Sequence, residues 1–135
     1  TMFTSWINNL SRNEPITCST DQTLSPIHVL DVCHVMHKAI TEKLIGIYHL
    51  SSNEHWNRFN LLKETISKLS NIYESTSEIE LKSINQMNLP ETYPLNVSLN
   101  STKILNKLNY KMESIDSRMN DIILQFNSRS TQNGN

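Results

Sequence analysis

The chain has 135 residues, of which 37% are hydrophobic and 19% charged, and this balance is typical of one globular domain. Twelve Lys and Arg residues oppose thirteen Asp and Glu, so the net charge of −1 gives no electrostatic reason to expect a nucleic acid or an anionic membrane as partner. Gly46 and Gly134 are the only glycines, which excludes a Gly-rich phosphate loop within these residues.

No apolar run approaches the roughly 20 residues needed to span a bilayer, and no signal peptide is recognisable at the start. Cys18 and Cys33 are too few for a disulfide framework, so we expect a reducing, cytoplasmic location. The sequence opens on Thr1, inside a helical pattern and without an initiator methionine. We therefore expect it to be a piece of a longer protein.

The first half of the chain alternates helical and extended patterns. An amphipathic helix is predicted from the i, i+3, i+4, i+7 spacing of its apolar residues, and Asn13-Glu14-Pro15 should end it. A strand at 16–19 and a polar loop at 21–28 follow, and Asp31 is expected to cap the next helix. Gly46 should lie just past that helix, before a strand at 47–50. The inner faces are predicted to be Phe3, Trp6, Ile7 and Leu10, then Val32, Val35, Met36, Ala39 and Ile40.

The second half continues the alternation. Asn57 is predicted to cap a helix, and residues 79–84 alternate at period two, as a half-buried strand does. Residues 89–94 should be irregular, Asn100 or Ser101 should start a short helix, and Ser114 the last one. The pattern predicts an α/β arrangement in which residues 1–127 form one folded part and 128–135 a disordered polar tail. The inner faces should be Phe59, Leu62, Ile66 and Leu69, then Ile115, Met119, Ile122 and Phe126.

Three groups of side chains could carry chemistry or bind a ligand. His34 and His37 lie one helical turn apart, a spacing that can chelate a metal, but they fall off the apolar stripe and are expected to be solvated, with no metal. A nucleophile elbow of the G-x-S-x-G type cannot be formed with these glycines. Trp56 precedes a predicted cap and could offer an exposed aromatic platform, but core packing is the favoured interpretation.

Four segments resemble one known family, in the right order. One stretch reads Asp21-Gln22-x-x-Ser25-Pro26-x-His28-Val29-x-Asp31-Val32. It resembles a segment of the dTDP-4-dehydrorhamnose reductase family, whose pattern is D-Q-x-G-S-P-T-Y-x-x-D-L-A. Residues 3–7, 46–50 and 96–104 are similar to the family's N-F-V-x-W-V, G-I-Y-H-L and N-x-x-L-D-T-S-K-L segments. The resemblance runs from about Phe3 to Phe126. It implies the C-terminal, substrate-binding part of an extended short-chain dehydrogenase/reductase, with the Rossmann N-terminal half absent.

The resemblance also implies a function in nucleotide-sugar (dTDP-rhamnose) biosynthesis. Gln22 and Ser25 would bind the sugar or the nucleotide, and Arg58 a phosphate. The family's G-x-x-G-x-x-G loop and Tyr-x-x-x-Lys pair do not occur in this sequence. We therefore expect no catalytic residue and no cofactor in this chain alone, and NAD(P) and a homodimer only for a longer parent. Turn formation by Gln22 and a solvated first-turn charge at Arg58 are the competing interpretations.

Some positions depart from the family pattern. Leu24 and Asn109 replace glycines, Ile27 replaces a threonine, and Tyr93 replaces an arginine. Polar groups are thus removed from the expected substrate side. Three alternatives stay open: a non-catalytic regulatory or partner-binding subunit, a part of a nucleotide-sugar epimerase or dehydratase, and a fragment whose uncovered helical faces prevent stable folding.

Overall fold

Helices alternate with short strands in the computed structural model, which describes residues 1–70, 72 and 74–132. This alternation confirms the predicted α/β arrangement. The helices and strands are α1 (Met2–Ser11), β1 (Ile16–Ser19), β2 (Thr23–Leu24), α2 (Val29–Thr41), β3 (Trp56–Asn57), α3 (Arg58–Leu69), β4 (Ile79–Lys82), α4 (Thr102–Lys107) and α5 (Ile115–Gln132), with a 3₁₀ turn at Ile84–Gln86. None of the helices in the described ranges is long and apolar enough to cross a membrane.

The strands form two small pairs. β1 and β4 are parallel, with the register running from Ile16 opposite Ile79 to Ser19 opposite Lys82. β2 and β3 are antiparallel and pair Leu24 with Trp56. The carboxyl ends of β1 and β4 therefore meet at one edge, where the polar segment after β1 begins. Ligands of α/β proteins commonly bind at such an edge.

Two apolar clusters hold these elements together. The larger one joins α1, α3, α5 and β1, and the smaller one joins α2 to α4. The stripe predicted for α1 is confirmed, since Trp6, Ile7 and Leu10 are buried. The buried members of the larger cluster are Trp6, Ile7, Leu10, Ile16, Cys18, Leu61, Leu62, Leu69, Ile115, Met119 and Ile123; those of the smaller are Val35, Ile104, Leu105 and Leu108.

Local sequence signals located several boundaries correctly. β1 occupies the predicted residues 16–19, and β4 lies within the predicted 79–84. The Asn57 side chain accepts the N–H groups of Phe59 and Asn60 at 3.0 and 3.2 Å, so it caps α3 as predicted. The Ser114 hydroxyl accepts the N–H of Ser117 at 3.1 Å at the start of α5. Each of these features depends on residues close together in sequence.

The cap predicted for α2 is wrong, and its predicted inner face is only partly confirmed. His28 is the cap, because its Nδ1 accepts the N–H of Leu30 at 3.3 Å, whereas Asp31 lies in the first turn with its side chain buried. Val35 is buried as expected, but Met36 and Ile40 are 56% and 73% exposed. The buried ion pair of Asp31, described below, faces α5 and thereby sets which side of α2 turns inward.

Three further boundaries differ from the sequence prediction. α2 ends at Thr41, and Lys43, not Gly46, is the left-handed residue next to its end, although Gly46 also has a positive φ of 124°. Residues 47–50 are not a strand, because no described strand pairs with them. α5 continues through Gln132, so residues 128–132 are helical where a disordered tail was expected; no Gly or Pro precedes Gly134 to stop the helix. Residues 133–135, with Gly134, lie outside the described residues.

Candidate functional site

A cleft opens at the carboxyl ends of β1 and β4, beside the first residue of α3. We call it the Arg58 cleft. Its volume is about 550 Å³. The lining residues include two cations and no carboxylate, so the cleft favours an anionic ligand. They are Thr17, Gln22, Arg58, Lys82, Ile84, Met87, Asn88, Leu89 and Tyr93.

Gln22 holds Arg58 by both its backbone and its side chain. The Arg58 N–H donates to the Gln22 carbonyl at 2.9 Å, and Arg58 Nη1 donates to Gln22 Oε1 at 3.0 Å. Gln22 itself is only 4% exposed. The cap residue Asn57 adds a third link, because its Nδ2 donates to the Thr20 carbonyl at 2.8 Å. The guanidinium is therefore fixed relative to the end of β1.

The Nε–H group of Arg58 differs from Nη1, which is bonded to Gln22. Its Nε is buried and has no hydrogen-bond partner in the described part of the chain. A buried unpaired donor is costly, so such an atom usually has a ligand, a water or an ion as its partner. A phosphate oxygen could accept this hydrogen bond, since guanidinium groups bind phosphate well.

The charge of Arg58 also affects the thiol of Cys18. Burial raises the pKa of the Cys18 thiol, and the neighbouring positive charge of Arg58 offsets only part of that effect. Cys18 is completely buried and is a free thiol, which suits a packing role and not a nucleophilic one.

Asp21 fixes the 3₁₀ turn, whose first residue, Ile84, lines the cleft. Its carboxylate accepts hydrogen bonds from the Ser83 hydroxyl and, at 2.8 Å, from the Ile84 N–H. These bonds, that of Ser83 foremost, lower the pKa of Asp21. They fix the start of the 3₁₀ turn, which Ser83 and Gln86 close with a capping box. Sequence reasoning missed this role, because both partners of Asp21 lie more than sixty residues further along the chain.

The rim of the cleft is apolar and aromatic. Ile84 begins the 3₁₀ turn, Met87 and Leu89 follow it, and Tyr93 contributes an exposed ring. Tyr93 stands where the family pattern has an arginine, so an aromatic face replaces a charge at this rim. Such a surface can pack against the flat face of a base or a sugar ring.

The structure brings Gln22 and Arg58 together but not Ser25. The Ser25 hydroxyl accepts the N–H of Leu99 at 3.0 Å and does not line the Arg58 cleft. This bond ties the loop after β2 to the segment before α4. The observed contact of Ser25 is thus internal.

The other candidate side chains, which are two histidines and a tryptophan, do not line this cleft. His34 and His37 are exposed, and the described residues contain no group of three or more His, Cys, Asp or Glu arranged to hold a metal. Trp56 is half-buried against the larger cluster, and its Nε1 donates to Glu54 Oε2 at 2.8 Å. Packing therefore accounts for Trp56.

A buried ion pair that the sequence did not reveal supports the fold behind the site. Arg118 Nε and Nη2 donate to the two carboxylate oxygens of Asp31, each at 2.8 Å, and the Tyr110 hydroxyl donates to Asp31 Oδ1 at 3.0 Å. Burial would raise the pKa of the Asp31 carboxyl, but these hydrogen bonds outweigh it and the pKa is lowered. Burial and the same carboxylate raise the pKa of Tyr110. The pair joins α2 to α5 across 87 residues of sequence.

Solved structures share this fold. The chain superposes on the dTDP-4-dehydrorhamnose reductase of Bacillus anthracis, solved in complex with NADP, with a TM-score of 0.77 and 20% identity over 93% of this chain and 43% of that one. For the reductase of Clostridium acetobutylicum the TM-score is 0.73 at 17% identity, covering 95% and 44%. For a dTDP-glucose 4,6-dehydratase of Bacillus anthracis in complex with NAD it is 0.67 at 13% identity, covering 84% and 34%. No curated protein sequence matches the chain significantly.

The solved structures show which fold the chain has, and a match to a family model shows which family it belongs to. The fold is that of the C-terminal part of dTDP-4-dehydrorhamnose reductase-like proteins. The RmlD substrate binding domain family matches residues 2–128. The chain belongs to this family, as the four sequence segments indicated. It spans less than half the length of the two solved reductases.

Proposed function

We propose that this chain is the nucleotide-sugar-binding portion of an NAD(P)-dependent reductase and that the Arg58 cleft holds the ligand. The observation that carries this proposal is the buried, unpaired Nε of Arg58 in a cleft lined by two cations. A sugar nucleotide carries a diphosphate between a base and a sugar. The cleft combines cations with an apolar, aromatic rim, which is the pairing that such a ligand needs.

Each residue of the cleft has a distinct part in the proposal. Arg58 binds a phosphate oxygen, and Gln22 positions the Arg58 guanidinium by accepting from its Nη1. Lys82 adds a second positive charge; its Nζ lies 2.8 Å from Glu80 Oε1 and can turn toward a phosphate. Tyr93 stacks on the base or the sugar. Ser25 stays a prediction as a sugar-binding hydroxyl, because it would have to exchange its bond to Leu99 for one to the ligand.

The redox chemistry is assigned to residues outside this chain. NAD(P) would supply the hydride when bound, and the solved reductase and dehydratase relatives were obtained with NADP and NAD. The part of this chain is to bind and orient the sugar nucleotide, not to move a hydride. A cytoplasmic parent is proposed because both cysteines are free thiols. The homodimer remains a prediction.

Calorimetric titration of the purified chain tests the proposal. We expect a dTDP-sugar to bind and NADPH not to bind, and Arg58→Gln to weaken dTDP-sugar binding at least tenfold. Arg12→Gln, an exposed arginine at the end of α1, is the matched control and should leave the affinity unchanged. Failure of every nucleotide sugar to bind a folded chain would reject the proposal in favour of a partner-binding subunit. Equal affinities of the two variants would reject the Arg58 cleft as the site.

A further inference from the structure

Lys82 is the second cation of the Arg58 cleft, and its surroundings differ from those of Arg58. It is the last residue of β4, and its side chain is 38% exposed. The Nε atom of Arg58, by contrast, is buried. The cleft therefore offers a ligand one sheltered cation and one cation that is open to solvent.

Sheet pairing sets the position of Lys82 at the cleft. Residues two apart in a strand point to the same side of a sheet, so Glu80 and Lys82 share one face of β4. Thr17 lies opposite Glu80 in β1 and, like Lys82, lines the cleft. The carbonyl of Lys82 accepts the N–H of Thr20 at 2.9 Å, which fixes the backbone at this point.

Glu80 is the partner of Lys82 in the structure. Lys82 Nζ lies 2.8 Å from Glu80 Oε1, and the Thr17 hydroxyl donates to Glu80 Oε2 at 3.2 Å. The bond from Lys82 foremost lowers the pKa of Glu80. The Glu80 side chain is 53% exposed and does not line the cleft. Ion pairs at such exposure contribute little to stability, so Lys82 can exchange Glu80 for a phosphate at low cost.

Arg58 by itself recognises one phosphate group. Its Nη1 donates to Gln22 Oε1 at 3.0 Å, so part of its donor set is used within the protein. The planar fork of a guanidinium matches the oxygens of a single phosphate. A lysine ammonium on its flexible stem can follow a second phosphate nearby. The affinity gained when a second phosphate is added to a ligand therefore measures a cation other than Arg58.

We propose that Lys82 binds the second phosphate of a nucleoside diphosphate and thereby selects diphosphates over monophosphates. The proposal rests on the proposed function, which assigns the first phosphate to Arg58. The family pattern has an arginine at the position of Tyr93, which lines the same cleft. In this chain a cation is missing at position 93 and present at position 82. Lys82 thus takes the place of that arginine within the cleft.

Titrations of the full chain with dTDP and dTMP test this proposal, because the two ligands differ by one phosphate. We expect Lys82→Gln to weaken dTDP binding about tenfold and dTMP binding less than about twofold, as the loss of one charged hydrogen bond implies. Lys82→Arg should retain most of the dTDP affinity. Lys107→Gln, at an exposed lysine of α4 outside the cleft, is the matched control and should change neither affinity.

Two further variants test the exchange of partners. Glu80→Gln releases Lys82 from its carboxylate and should strengthen dTDP binding, and this gain should vanish when Lys82→Gln is added. Tyr93→Arg in the Lys82→Gln chain returns a cation to the position that the family pattern gives it. This double variant should regain the preference for dTDP over dTMP.

Two results would overturn the proposal. One is that Lys82→Gln changes the dTDP and dTMP affinities by the same factor or leaves both unchanged. The other is that Tyr93→Arg fails to restore the preference for dTDP in the Lys82→Gln chain. Arg58→Gln separates this proposal from the proposed function, because it should weaken both ligands. If Arg58→Gln changes neither affinity, the proposed function fails; if only the effects at Lys82 are missing, Lys82 is not the selecting residue.

Discussion

Gln22 accepts two hydrogen bonds from Arg58: its carbonyl oxygen accepts the backbone N–H at 2.9 Å, and its Oε1 accepts the guanidinium Nη1 at 3.0 Å. The two residues are 36 positions apart in sequence and belong to different segments, the loop after β1 and the first turn of α3. The bond therefore fixes both the start of a helix and the direction of its first cation.

Replacing Gln22 by Leu should destabilise the fold and weaken ligand binding together. The variant leaves a half-buried guanidinium without its acceptor, which costs about 2 kcal/mol for a hydrogen bond to a charged group. Urea unfolding would measure this loss, and titration with a dTDP-sugar the change in affinity. Gln125→Leu, on the exposed surface of α5, is the control and should change neither. An unchanged affinity in Gln22→Leu would mean that the position of Arg58 does not matter for binding.

The Asp31–Arg118 ion pair should make the fold sensitive to acid. The pKa of Asp31 is lowered in the folded state, so its stabilising contribution is fully present above the ordinary aspartate value of about 3.9 and is lost as the pH falls through the lower folded value. Asp31→Asn leaves a largely buried Arg118 without its main partner, and we expect a loss of about 3 kcal/mol at pH 7.

Urea unfolding at pH 7 and at pH 3 measures both effects. The unvaried chain should lose stability between these values, and Asp31→Asn should lose less. Glu42→Gln removes the exposed pair with Lys38, which lies at 3.9 Å, and should cost less than about 0.5 kcal/mol. If Asp31→Asn behaves like Glu42→Gln, the ion pair contributes nothing to stability.

The two cysteines should differ sharply in reactivity. Cys33 is exposed, whereas Cys18 is buried and the pKa of its thiol is raised. Titration of the native chain with a disulfide reagent at pH 8 should therefore modify one thiol quickly, and the second only after denaturant is added. Cys33→Ser should abolish the fast reaction. Fast modification that survives in Cys33→Ser would show that Cys18 is accessible.

Asn109 has a left-handed backbone conformation that favours glycine, and substitutions there should measure how much this conformation lowers the stability of the fold. Asn109 follows α4 and has a φ of 44°. The family pattern has glycine at this position. Asn109→Gly should stabilise the fold by about 0.5 kcal/mol, and Asn109→Ala should destabilise it by about 1 kcal/mol. Thermal unfolding of the two variants measures the difference. Equal midpoints would indicate that the turn relaxes out of the left-handed region.

The sequence predicted what depends on neighbours in the chain. The Asn57 cap and β1 were located correctly, because a cap and a β-branched run are read over a few residues. The helical face of α2 was misjudged because it is set by Arg118, which lies 87 residues away. Residues 47–50 have a strand pattern, but pairing requires a second strand, and that requirement is not visible in four residues.

The contacts within the candidate site could not be predicted either, because they join segments that are distant in sequence. Gln22 and Arg58 were each predicted to meet a ligand, since a motif resemblance and a helix start can be read along the chain. Their mutual bond was not predicted, because it requires knowing that the loop after β1 lies beside the start of α3. Asp21 was missed for the same reason, since its partners Ser83 and Ile84 lie more than sixty residues on.

The NMR signal of the Arg58 Nε–H group reports directly on whether the cleft binds a phosphate oxygen. Proton–nitrogen NMR spectra of the chain can follow this resonance while a dTDP-sugar is added. We expect the Nε–H proton to shift downfield and to exchange more slowly on binding, with further changes limited to residues around the cleft such as Gln22, Lys82 and Tyr93. Binding that leaves the Nε–H resonance unchanged, or changes confined to residues that do not line the Arg58 cleft, would contradict this assignment.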